Sequence, residues 1–93
     1  MMIFRWNLEK NLKLINERGI SFDAIQEAIE SNGLIKVVKQ ARDEYKHQII
    51  MLVVIDDYVW EVPSIVLQEN PKIIYFVTAY KSRKATKLWR NEK

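Results

Sequence analysis

The stretch QIIMLVVIDDYVWEVPSIV, residues 48–66, decides how the rest of this 93-residue chain can be arranged. Its first eight residues are apolar except for Gln48 and rich in branched side chains, which predicts a strand buried on both faces. Asp56-Asp57 then supplies two short polar residues suited to a tight reversal, and 58–66 returns as a second strand. A reversal that short makes the pair an antiparallel hairpin. Pro63 has no N–H to give to a ladder, so it predicts an edge position or a bulge.

Working outward, LIKVV (34–38) reads as a short strand before the hairpin. ENPK (69–72) reads as a turn, and IIYFVTAY (73–80) as a further strand. Toward the N-terminus the apolar period changes from two to between three and four. FRWNLEKNLKLINERG (4–19) predicts a helix with Asn7 as its N-cap. Leu8, Leu12 and Ile15 form its apolar stripe, and Gly19 stands at the position where a helix ends in a left-handed residue. SFDAIQEAIESNG (21–33) predicts a second helix, capped by Ser21, buried through Phe22, Ile25 and Ile29, and stopped by Asn32-Gly33. Gly19 and Ile20 alone separate the two, which makes a tight helical hairpin. Ser82 caps a last helix whose inward stripe is Ala85, Leu88 and Trp89. The expected fold is a single α+β domain with two N-terminal helices, an antiparallel three- to four-stranded sheet and a C-terminal helix.

The composition removes several functions. At 48% apolar and 11% aromatic residues the chain can build a core. It has no cysteine and one histidine, which speaks against a zinc site, a disulfide framework or thiolate chemistry. No glycine-rich phosphate loop or Gly-x-Ser-x-Gly elbow is present. Asp56 and Asp57 are adjacent carboxylates, but neighbours on a tight turn point apart, so turn chemistry accounts for them. No cofactor and no metal are expected. The longest apolar run, 49–55, is too short to span a bilayer, and the N-terminus lacks a signal pattern. A cytoplasmic location with no membrane partner is the expectation.

The net charge of +3 is unevenly placed. From Lys81 onward six basic residues face one acid, Glu92, which leaves +5. The first eighty residues hold nine basic and eleven acidic ones, which leaves −2. A solvated terminal helix is the bland account of this asymmetry, and a polyanion or an acidic protein as partner is the functional one. Arg83, Lys87 and Arg90 recur at i, i+4 and i+7 and share one helix face. Arg83 and Lys84 also stand in the first turn, where the helix dipole disfavours cations. An anion bound there would offset that cost, and phosphate is the natural candidate. Tyr80, just before the cap, is placed either to stack a base or simply to pack on the strand. Strand scission of RNA by its own 2′-hydroxyl asks a protein only for a base, an acid and cations around the charged transition state. A small domain with one histidine can supply these.

FRWNLEKNLKLINERGISF resembles the opening of the BrnT family of ribonuclease toxins from bacterial toxin–antitoxin pairs. The resemblance rests on Phe4 and Trp6, on Lys10 with Asn11-Leu12, and on the junction Gly19-Ile20-Ser21-Phe22. The closing SRKATK (82–87) resembles the family's basic Arg-Arg-Ala-Thr motif, and it is similar to related small toxin-like families that end in Ser-Arg-Lys-Ala. What the resemblance implies is a RelE-like toxin fold, RNA cleavage without a metal, and neutralisation in a hetero-oligomer with a cognate antitoxin. By position, Lys10 would be the helix lysine, and Arg83 and Lys84 the basic pair that stabilises transition-state charge. Arg18 stands where the family carries His, so a proton carrier is replaced by a permanent cation. Lys10 or His47 would then transfer the proton. DEYKH (43–47) matches the family's lead-in to the central strand and would bring Lys46 near the site. Arg18, Lys46, Tyr80, Lys87 and Arg90 complete the set of expected RNA contacts. The alternative expectation is a basic module that binds nucleic acid or an acidic protein without catalysis.

Overall fold

The computed structural model describes residues 2–40, 42, 44 and 47–92. Their elements are β1 (Met2–Arg5), α1 (Leu8–Arg18), α2 (Phe22–Ala28), β2 (Leu34–Lys39), β3 (Gln48–Ile55), β4 (Tyr58–Glu69), β5 (Lys72–Phe76), β6 (Tyr80–Lys81) and α3 (Arg83–Glu92). The α+β class and the helices at either end are as expected. The sheet is not the antiparallel three- to four-stranded one expected. It is mixed and six-stranded, in the order β1-β5-β4-β3-β2, with β6 also paired to β4. β1 is the strand that the sequence pattern hid. It lies parallel to β5, with Met2 opposite Lys72 and Arg5 opposite Tyr75. Four residues are too few to show a period, and the partner strand is some seventy residues away.

The local signals set most boundaries. Asn7 Oδ1 accepts the Lys10 N–H at 2.9 Å and starts α1, and Gly19, at φ 68°, ends it. Ser21 Oγ accepts the Ala24 N–H at 3.0 Å and starts α2. Asn32, at φ 69°, turns the chain out of α2. Gly33 follows where a Cβ would sit 2.6 Å from the Ala28 carbonyl oxygen, closer than any side chain can approach. Asp56 and Asp57 both have positive φ, 52° and 63°, the left-handed pair that matches the twist of a two-residue hairpin. Ile55 and Tyr58 face each other across it.

One face of the sheet carries the core. Met51 and Val53 of β3, Trp60 and Val62 of β4, and Ile74 and Phe76 of β5 are buried with Phe22, Ile25 and Leu14 of the helices. On the other face of β3 Ile50 is buried but Leu52 and Val54 are only half-buried, so that face is covered less completely than the one that carries Met51 and Val53. Phe76 is the meeting point of the N-terminal elements. Its ring stacks on Phe4 at 5.0 Å, Phe22 at 5.6 Å and Trp6 at 5.9 Å between centroids.

Two helix faces differ from expectation. Leu8 and Leu12 of α1 are 75% and 63% exposed, and Ile15 is also exposed, whereas Asn11 and Leu14 are buried. Asn11 decides this rotation. Its Oδ1 accepts the Phe22 N–H at 2.7 Å and its Nδ2 donates to Asp23 at 3.4 Å, tying α1 to the first turn of α2. A buried amide bonded on both sides outweighs the apolar stripe beside it. On α3, Leu88 is 53% exposed, and Thr86 is the buried residue, with Ala85 and Trp89 half-buried beside it.

Pro63 explains why 73–80 is two strands rather than one. Its carbonyl accepts the Val77 N–H at 2.9 Å, so its nitrogen also faces the side of β4 that β5 and β6 occupy. No ladder bond can form from that nitrogen. Here β5 ends and β6 has not begun, and residues 77–79 pass opposite 62–63 as a bulge. Beyond β6, Ser82 N–H continues the ladder to the Val59 carbonyl at 2.9 Å. The Val59 N–H has no strand left to meet and donates to Thr86 Oγ1 at 2.8 Å, while that hydroxyl donates to the Ser82 carbonyl at 2.7 Å. Ser82 Oγ accepts the Ala85 N–H at 3.1 Å and fixes the start of α3. Replacing Thr86 with Val keeps the shape but leaves the Val59 N–H unmet. Urea unfolding is expected to show a loss of about 1–3 kcal/mol for Thr86→Val and a much smaller loss for Thr86→Ser.

Candidate functional site

The cations gather at the hairpin end of the sheet, in two clefts that share one wall. The first encloses about 600 Å³ between the α1–α2 junction and the Asp56-Asp57 turn, with Arg18, Ser21, Asp56, Tyr58, Trp60 and Lys81 in its lining. The second, about 450 Å³, runs along α3 and is lined by Tyr58, Arg83, Thr86, Lys87, Arg90 and Asn91. Tyr58 belongs to both.

Arg18, Lys81 and Arg90 are each held by something that the fold put in place. Arg18, in the last turn of α1, donates to the carbonyl of Ala79 and, at 3.5 Å, to Thr78 Oγ1. Both lie in the interrupted stretch opposite Pro63, so the guanidinium covers backbone that the missing ladder left open. Lys81 stands opposite Trp60, and its ammonium lies 5.4 Å from the Tyr58 ring centre and 5.8 Å from that of Trp60. Arg90 donates to the Asp57 carbonyl at 2.9 Å and faces its carboxylate at 3.7 Å, which ties the end of α3 to the hairpin. Arg83 and Lys87 make no ion pair among the described residues. They are exposed on the same wall of the second cleft.

The expected set is only partly brought together. Arg83, Lys87 and Arg90 share one cleft, as their spacing required, and Arg18 stands in the other. Lys84 is exposed and lines neither cleft. Lys10 is half-buried on α1, about 12 Å along the axis from Arg18, and lines neither. His47 is exposed at the far end of β3, which eight residues of strand put about 26 Å from the Asp56-Asp57 turn. Lys46 lies outside the described residues. Among those described, no three His, Asp or Glu side chains group as a metal site requires. Tyr58 and Lys81 are the lining residues that the sequence reading missed. The signal was present in the hairpin itself, since a two-residue turn places residue 58 at the sheet end beside whatever strand follows it in space.

Tyr80 lies outside both clefts. It pairs with Glu61 across β4 and β6, and its hydroxyl donates to Glu61 Oε1 at 3.1 Å. Burial raises the phenol's pKa above its ordinary value. The Glu61 charge and hydrogen bond raise it further, against a smaller lowering by Arg18. The hydroxyl is therefore a donor at neutral pH and not a base.

Compared with models of protein families and with curated proteins, the chain finds no match in either.

Because the folded state holds the Tyr80 proton more tightly than the unfolded chain, its contribution to stability is complete below about pH 10 and fades as pH rises through the raised folded pKa. Alkaline absorbance titration is expected to show a late component that is lost in Tyr80→Phe and that titrates earlier in Glu61→Gln. A curve unchanged by that substitution would remove Glu61 as a cause.

Proposed function

We propose that this protein is an RNA-cleaving toxin of a type II toxin–antitoxin pair, acting without a metal and neutralised by its cognate antitoxin. The observation that supports it is the convergence of Arg83, Lys87 and Arg90 on one cleft, beside a second cleft that holds Arg18 and Lys81. Cations drawn from three separate elements line two neighbouring clefts of about 600 and 450 Å³. Such an arrangement suits a negatively charged transition state more than a surface that is merely soluble. The scissile phosphate would lie against Arg83 and Lys87, which replaces Arg83 and Lys84 as the basic pair. The exposed stripe of Leu8, Leu12 and Ile15 on α1 supports the second half of this reading, a protein partner.

A second reading, a nucleic-acid-binding module without catalysis, is favoured by one observation. Lys10 and His47, the expected proton carriers, stand apart from the clefts that hold the cations. Among the described residues, no carboxylate or imidazole lines the second cleft, where the scissile phosphate would lie.

Expression in a bacterium without the neighbouring gene separates the two. The toxin reading expects growth arrest with loss of bulk RNA, relieved by co-expression of the adjacent gene. Substituting Arg83 and Lys87 together by Ala is expected to abolish both effects while the protein still accumulates folded. Arrest that survives in this double variant would place the active site elsewhere. Abundant wild-type protein with intact growth and RNA would leave the binding module.

A further inference from the structure

We propose that the two clefts form one track for single-stranded nucleic acid, with the Tyr58 ring as the platform on which an unpaired base stacks. This deepens the reading above, since it rests on nucleic acid being the ligand, but it concerns how the strand is gripped and not whether it is cut.

Three observations carry it. Among the described residues Tyr58 is the only one common to the linings of both clefts, so it is the ridge between Arg18 and Lys81 on one side and Arg83, Lys87 and Arg90 on the other. A backbone crossing that ridge would set successive phosphates in cation-lined grooves and bring a base to the ring between them. Second, the ring is only half-buried and ends the hairpin, whereas Trp60, its neighbour on the same sheet face, is 4% exposed and belongs to the core. Third, the Lys81 ammonium lies over both rings and makes no ion pair among the described residues. A cation resting on a π-face holds it only weakly in an exposed setting, so a base can displace it and leave Lys81 to meet the adjacent phosphate.

The acids nearby limit the track. Asp57 engages Arg90, and Asp56 lies in the first cleft. Arg83, Lys87 and Lys81 are therefore the main phosphate contacts, and Arg90 a lesser one. A duplex buries its base faces in its own stack and offers none to Tyr58, so the preference for single strands follows from the platform. Tyr80, the aromatic that the sequence suggested for stacking, takes no part. Its hydroxyl is bonded to Glu61, and it lines neither cleft.

The test is fluorescence anisotropy on the full chain with a labelled twelve-nucleotide single-stranded RNA, its duplex, and a strand of equal charge that carries no bases. Wild-type protein is expected to bind the base-bearing single strand at least about fivefold more tightly than either of the others. Tyr58→Phe is expected to bind as wild type. Tyr58→Leu should weaken binding about 5- to 150-fold with its salt dependence unchanged. Lys81→Gln should instead flatten the salt dependence by about one phosphate contact. Equal binding of the base-free strand, or of the duplex, overturns the platform whatever the variants do, so the outcome does not depend on Tyr58→Leu folding. RNA binding with that preference but without cleavage or growth arrest would sink the toxin reading and leave this one standing. No binding to any strand would sink both.

Discussion

The outer edge of β4 is the constraint on which the rest depends. Twelve residues of strand present a row of backbone groups to the side away from β3, and each needs a partner. β5 serves the C-terminal half and β6 two residues of the other half. Pro63 forbids a continuous ladder between them. The remaining groups are met by pieces that are not strands: Val77 N–H on the Pro63 carbonyl, Ser82 N–H on the Val59 carbonyl, and a threonine hydroxyl on the Val59 N–H. The position of α3 follows from the last two, because Thr86 must lie one helical turn beyond Ser82 to reach both Val59 and the Ser82 carbonyl.

That same constraint assembles the cationic end of the molecule. The bulge at 77–79 exposes the Ala79 carbonyl, and Arg18 covers it, which brings the end of α1 to the hairpin. The short β6 delivers Lys81 opposite Trp60. The helix that begins at Ser82 then carries Arg83, Lys87 and Arg90 past Tyr58. Three elements distant in sequence thus place positive charge around one aromatic side chain. The cost of gathering these charges is moderated by solvent, by the Tyr58 and Trp60 faces and by Asp57.

Much of this was legible residue by residue. The hairpin was read at its observed turn because Asp-Asp between branched apolar runs admits few other conformations. Asn7, Gly19, Ser21 and Ser82 act where their chemistry said they would, since a cap is decided by groups within three or four residues of it. The helix faces were read less well. Apolar spacing chose Leu8, Leu12 and Ile15, while Asn11 turned the adjacent face inward through bonds to α2. Leu88 was assigned inward by the same rule, and Thr86 took its place through a bond to β4. In both cases a polar group with a distant partner overrode the local pattern.

The candidate site divides along the same line. The spacing of Arg83, Lys87 and Arg90 was enough to put them on one face, and the sequence by itself determined the β3–β4 hairpin, the caps and that cationic stripe. Only the tertiary structure decided that β1 joins the sheet in parallel, that His47 and the cations lie at opposite ends of β3, and that Tyr58 rather than Tyr80 stands among the charges. The physical reason is one of range. Helical spacing, capping and tight turns are set by neighbours in the chain, whereas strand partners and cleft linings are set by which distant backbone groups remain to be satisfied once those local elements exist.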